Sequence, residues 1–303
     1  MSSEQHLLEQ RLREDPEDEL AWQVYGDWLA QRGDLRGELI ALEHACYGEP
    51  GAELEQRLAQ LQAAVLADNA DARASEARWR YGFIIELVED TLEYPYEIEA
   101  LAELLAKPQA RLLSKLTLSF APAEGEPLNE LEGLEFFGAR EHTVAKLASL
   151  DLRRIRCLTL AYSNAGDELA AALARIEMPE LRELDLRYCG LSDAGLRALV
   201  TNHSPSELRV LHLQGNDIGA AGARALAGWP VLDQLERLDL RNNEIGTEGA
   251  RALAEAPQLA ALEVLHLRDR DLQREGCELL AASSTLNPDL RRLWRARGAR
   301  LAR

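Results

Sequence analysis

The sequence has 303 residues, a formal charge of −18 and 47% hydrophobic residues, enough for one repeat array and a small domain. A molecule this acidic repels phosphate backbones, which disfavours general nucleic-acid binding. The absence of any run of eighteen apolar residues leaves no candidate membrane span.

The first residues, MSSEQHLLEQRLRED, lack a basic segment followed by an apolar one, so no secretory signal is read and a cytoplasmic location is expected. Four cysteines (Cys46, Cys157, Cys189, Cys277) stand far apart with no CxxC pair, which points to reduced thiols rather than disulfides or zinc. Charge is uneven. Residues 1–180 carry 17 Lys/Arg against 35 Asp/Glu, whereas 181–303 carry 17 against 17. The arginine-rich end after Asp289 reads as a solvated charged terminus.

Residues 1–80 read as a small helical domain of four helices. Leu7, Leu8 and Leu12 form a first stripe that ends at Asp15-Pro16. A second helix begins near Glu17 with Ala21, Val24, Tyr25, Trp28 and Leu29 on one face, and stops at Gly33. A third spans about Leu35 to Tyr47, and a fourth carries Leu54, Leu58, Leu61 and Val65. Tyr25, Asp27, Trp28, Arg32 and Asp34 crowd together, and they read as core and caps rather than a ligand site. Buried Trp and Tyr need a polar partner, which Asp27 or Asp34 can supply, and either aspartate can cap the next helix.

The run Val24-Tyr25-Gly26-Asp27-Trp28-Leu29, then Arg32-Gly33-Asp34 and Arg36-Gly37-Glu38-Leu39-Ile40, resembles the bacterial repeat-companion domain, a short module found ahead of repeat arrays. Gly26 and Leu35 depart from that family's usual alanine and proline. The resemblance implies an architecture and no activity.

From Phe83 strand-like segments begin: Phe83–Val88, Leu113–Leu118 and Ile155–Leu160. The last two are 42 residues apart, too long for one coil. The stretch 121–138 is either an insertion or holds a degenerate strand at Leu131–Phe136, the latter preferred because long structureless loops are uncommon. From Leu181 a unit repeats at 181, 208, 235 and 262, 27 residues apart, each opening LxxLxL and ending in an Ala/Leu-rich helical run. LRRLW reads as the opening of another at Leu290. Such self-similarity means a solenoid. These residues resemble the leucine-rich repeat in its ribonuclease-inhibitor-like subtype. The expected fold is therefore α/β: a curved solenoid over 81–303, parallel strands inside and helices outside. Asn216 and Asn243 fall where that family places a turn-bonding asparagine, Cys189 fills the same slot, and Arg270 does not fit it. Gly195, Gly222, Gly249 and Gly276 form a column where a Cβ is expected to collide with the adjoining coil.

Alternation leaves the residue between paired leucines on the open face. That column reads Thr117, Thr159, Asp185, His212, Asp239, His266 and Trp294, and the next holds Arg187, Gln214, Arg241 and Arg268, followed by Tyr188. His212 and His266 are two coils apart, about 9.6 Å between backbones, too far for ligands needed at about 2.1 Å; no metal and no cofactor are expected. No GxxxxGK[ST], GxSxG or HExxH motif occurs, so no enzymatic reading is supported. A ladder of Asp–His pairs is one reading of the column. With Arg187, Arg241, Arg268, Tyr188 and Trp294, residue types that dominate interfaces, the face is expected to bind another protein or a peptide segment of one. The resemblance implies a non-enzymatic scaffold. Alternatives are a GTPase-activating regulator acting through Arg187 or Arg241, and a component or target of a bacterial signalling or defence system cut at 121–138.

Overall fold

The computed structural model describes residues 3–46, 51–67, 77–89, 92, 95–120, 143–202 and 205–301. The stretch 121–138, with its two readings, lies outside them. The chain divides into two compact units, residues 1–88 with 104–116 and residues 89–103 with 117–303.

The first unit holds α1 (Ser3–Glu14), α2 (Glu19–Ala30), α3 (Leu35–Ala45), α4 (Ala52–Ala67) and the antiparallel hairpin of β1 (Ala77–Arg80) and β2 (Phe83–Glu89). Asp18 starts α2 by accepting a hydrogen bond from the Ala21 N–H at 2.9 Å, and Asp34 starts α3 by accepting from Arg36 N–H at 3.1 Å. The buried face of α2 differs from the sequence stripe. Val24 is 48% exposed and Trp22 is fully buried, its Nε1 donating to the Pro16 carbonyl at 2.8 Å. Leu7 likewise faces solvent while Leu12 is buried. Neither Asp27 nor Asp34 serves Tyr25. Its hydroxyl donates instead to the buried Glu9 carboxylate of α1 at 2.8 Å. The rings of Trp22, Tyr25, Trp28, Tyr81 and Phe83 pack together, and guanidiniums lie over them, Arg32 at 3.8 Å from the Trp28 centroid.

Chain order continues with α5 (Pro95–Ala106) and β3 (Lys115–Leu118), then β4 (Cys157–Thr159), α6 (Gly166–Leu173), β5 (Glu183–Asp185), α7 (Asp193–Asn202), β6 (Val210–His212), α8 (Ala220–Ala227), β7 (Arg237–Asp239), α9 (Gly246–Glu255), β8 (Val264–His266), α10 (Asp269–Ala282) and α11 (Pro288–Leu301). Strands β4 to β8 are parallel and lie in chain order. Their central leucines are in register: Leu158, Leu184, Leu211, Leu238 and Leu265, all 0–1% exposed. Burial of each stabilises the fold by about 1.5–3 kcal/mol. Strands in a sheet stand about 4.8 Å apart and helices about 8–10 Å, so stacked coils bend with the strands on the inside. This is the α/β solenoid expected from the sequence.

Two repeated devices hold the coils. The Asn216 amide accepts from Cys189 N–H (3.1 Å) and Leu191 N–H (3.0 Å) and donates to the Leu186 and Leu213 carbonyls (2.8 and 2.9 Å). Asn243 repeats the pattern one coil on, toward Ile218, Leu213 and Leu240. Cys189 takes the equivalent place with its thiol donating to the Leu160 carbonyl at 3.2 Å, and burial pushes that thiol's pKa up to about 11. The glycine column is the second device. A Cβ on Gly249 would stand 3.1 Å from Ala223 Cβ, one on Gly276 3.2 Å from Ala250 Cβ, and one on Gly195 would collide with Asp167. α9 and α10 thus rest on alanines of the helix before, whereas Gly195 and Gly222 make room for Asp167 and Asp193.

The end of the solenoid departs from the repeat. In the coil after β8, where Arg270 replaces the asparagine, α10 is broken at Gln273 (φ 58°). The segment from Leu290 is no further strand. It lies in α11, which stacks on α10 where a Cβ on Gly298 would stand 3.4 Å from Cys277 Cβ. Asn287 caps it by accepting from Asp289 and Leu290 N–H (3.0 and 2.9 Å), and Pro288 sits just inside its start.

Candidate functional site

Parallel pairing in register sets the strand-face residues in rows across the coils. The middle row runs Thr159, Asp185, His212, Asp239, His266, each the paired neighbour of the next. A lower row runs Cys157, Glu183, Val210, Arg237, Val264. Above lie Arg187, Gln214, Arg241 and Arg268, each two residues on from the middle row and so on the same side of its strand. Eight of the ten residues proposed from sequence are therefore brought together, and Tyr188 joins them through the hydrogen bond it accepts from Gln214. Trp294 does not. It is fully buried in α11, with the Arg297 guanidinium 4.7 Å over its ring, because its segment folds as a capped helix.

The aspartates are paired differently from an Asp–His ladder. Asp185 accepts from Arg187 N–H at 3.1 Å, Nε at 2.9 Å and Nη2 at 2.6 Å. Asp239 takes the same three donors from Arg241. His266 Nδ1 does lie 3.6 Å from the Asp239 carboxylate, whereas His212 Nε2 lies 3.4 Å from Glu183 instead. The geometry is a fork made by the tripeptide Asp-Leu-Arg, since extended backbone puts residues i and i+2 on one side. The tripeptide also stands at 34–36, 151–153 and 289–291. The first two make the same fork; the third lies in helix α11, where Asp289 pairs with Arg292 at 3.2 Å. Burial alone would raise the Asp239 pKa, but the Arg241 hydrogen bonds and charge outweigh it, and the carboxyl titrates below the ordinary range.

Each fork hides its acid beneath its base. The side chains of Asp185 and Asp239 are both 6% exposed, against 38% and 44% for Arg187 and Arg241. Among the described residues, Arg237 and Arg268 have no acidic partner. No group of three or more His, Cys, Asp or Glu side chains among them is placed to hold a metal ion.

One feature at the upper edge escaped the sequence reading. Tyr162 and Tyr188, in successive coils, stack with centroids 5.0 Å apart and planes 12° from parallel. Both have left-handed backbone, φ 63° and 54°, and the Tyr188 ring covers Gly215, on which a Cβ would stand 2.3 Å from it. The Tyr188 hydroxyl accepts from Gln214 Nε2 at 2.8 Å and Asn242 Nδ2 at 3.3 Å. The available signal was the recurrence 162, 188, 215, 242, which is 26 and then 27 residues and so breaks the exact period once.

Comparison with known proteins bears on the same coils. The Leucine Rich repeat family matches residues 178–200, 206–227 and 235–254. Among solved structures, a crystal structure of a Bacteroides fragilis protein is similar at 15% identity, over 74% of this chain and 80% of that one, with a TM-score of 0.33. No curated protein matches. Residues 178–254 carry leucine-rich repeats.

Proposed function

We propose that this chain is a non-enzymatic scaffold that recognises another protein, or a peptide segment of one, on the strand face of its solenoid. The observation that carries the reading is the row of polar side chains held in register across β4 to β8. It is an ordered, open surface of charged and aromatic groups, the residue types that anchor interfaces. Leucine-rich repeats over 178–254 support the same reading. The finer parts of the proposal are that the repeats are of the ribonuclease-inhibitor-like subtype, that residues 1–80 form a bacterial repeat-companion domain, and that the protein works in a cytoplasm. No described helix is long and apolar enough to cross a membrane.

The scaffold reading is favoured over a GTPase-activating one by the forks. An arginine finger has to reach a partner's nucleotide, and Arg187 and Arg241 are each committed through Nε and Nη2 to their own aspartate. The test is affinity capture from native lysate with the wild type and an Arg237→Glu, His266→Glu, Arg268→Glu triple variant, which leaves both forks intact. Loss of the captured partner is expected. Equal recovery would move the interface elsewhere.

A further inference from the structure

On the reading of the strand face as the binding surface, we infer that its partner is an acidic, extended peptide segment, whose carboxylates meet the upper-row guanidiniums and whose apolar side chains rest on the Tyr162–Tyr188 step. Three independent features support this.

The first is charge. The molecule carries −18, yet in the middle and upper rows the acids are sequestered at 6% exposure under arginines. Arg268 adds a cation without an acidic partner among the described residues, and Arg237 another in the lower row. Glu183, in the lower row, is the exposed acid among the strand residues between β5 and β8. What solvent meets across the two upper rows is cationic, an attractive patch on a repelling molecule. A fork also leaves Nη1 without a role toward its aspartate, free to donate outward.

The second is spacing. Arg187 and Arg241 stand two strands apart, about 9.6 Å. Residues i and i+3 of an extended chain are about 9–10 Å apart, and in a polyproline II conformation they share one face. Carboxylates three residues apart therefore match the two forks.

The third is the tyrosine step. Bulky residues seldom adopt positive φ, and the equivalent places in the next two coils hold Gly215 and Asn242, which tolerate it. The coil geometry does not call for tyrosine there. Tyr162 nevertheless offers 59% of its surface to solvent, stacked on its neighbour at the end of the cationic row. Aromatic shelves of this kind take extended and polyproline II peptides.

The probe is a fluorescein-labelled peptide of four Glu-Pro-Leu repeats, with four Lys-Pro-Leu repeats as its counterpart, followed by anisotropy on the full chain at low and moderate salt. The acidic peptide is expected to bind and to weaken with salt, and the basic one to fail. Arg237→Glu with Arg268→Glu should lower affinity at least tenfold. Tyr162→Asn should lower it several-fold with the melting temperature unchanged or raised, because asparagine suits that backbone. Binding of neither peptide overturns the inference. Binding of the basic peptide alone, abolished by the face substitutions, overturns the acidic partner while sparing the face as a binding surface. Binding of the acidic peptide unchanged by either substitution set overturns both.

Discussion

In the coils from 181 to 267 each strand packs on a copy of itself 27 residues away, while the N-terminal unit is joined by contacts between unlike partners. Asn216 and Asn243 repeat one hydrogen-bond set, and Gly249 rests on Ala223 as Gly276 rests on Ala250. In the N-terminal unit Tyr25 of α2 bonds Glu9 of α1, Arg36 lies over Phe83, and Arg111 reaches the Glu9 carboxylate at 3.7 Å. The difference teaches how stability is distributed. A repeat array is held by nearest-neighbour terms that recur, so damage to one coil is local and its size is set by how many neighbours share the residue. A bespoke core concentrates its interactions in single, irreplaceable contacts.

The largest effect is expected where a repeated device serves two coils. Asn216→Leu strands the buried Cys189 and Leu191 N–H groups and the Leu186 carbonyl, and should cost about 3–4 kcal/mol in urea denaturation; a loss below about 1 kcal/mol would mean the ladder is ornamental. Gly37→Ala probes the bespoke unit. The new Cβ would stand 2.4 Å from Ala30 N and 2.5 Å from the Gly26 carbonyl oxygen, backbone that cannot swing aside, so about 2–3 kcal/mol is expected. Gly249→Leu, facing an alanine one coil away, should lower the melting temperature by several degrees, and an unchanged melt would remove the close-approach account of the column. Tyr25→Phe takes a donor from the buried Glu9 carboxylate and should cost about 1–2 kcal/mol.

The smallest effect concerns acid. The Arg153 hydrogen bonds hold the Asp151 carboxyl down from 3.8 to about 2, and Asp239 is lowered in the same direction. A carboxylate with a depressed folded pKa stabilises fully above its unfolded value and loses that contribution as pH falls through the folded one. Stability should therefore decline on acidification from about pH 4 toward pH 2. Asp151→Asn should flatten that slope only slightly, because the pair is 44% and 63% exposed and solvent screens it. A steeper change than Asp239→Asn produces would reverse the ranking of the two forks.

The same contrast explains what was legible in the sequence. Strand leucines and the glycine column were read correctly because four copies repeat each signal at one spacing, and the asparagine slot because Cys189, Asn216 and Asn243 keep the same interval. The forks were not, because Asp-Leu-Arg has no fixed meaning in sequence: it forks on the strands and at the N-terminus of α3, but not inside helix α11 at 289–291. Trp294 was misassigned because LRRLW imitates a strand opening, although Asn287-Pro288 signals a helix start and Leu290, Trp294 and Gly298 bury at helical spacing. On α2, the choice between Val24 and Trp22 rested on a hydrogen bond to Pro16 that no periodicity encodes.

The most direct test of the strand face as the binding surface is photo-crosslinking in native lysate, with p-benzoylphenylalanine placed at His212 in one variant and at the exposed Arg224 of α8 in another. The account predicts a discrete crosslinked partner from position 212 and none from 224. A partner captured from 224 and not from 212 would contradict it.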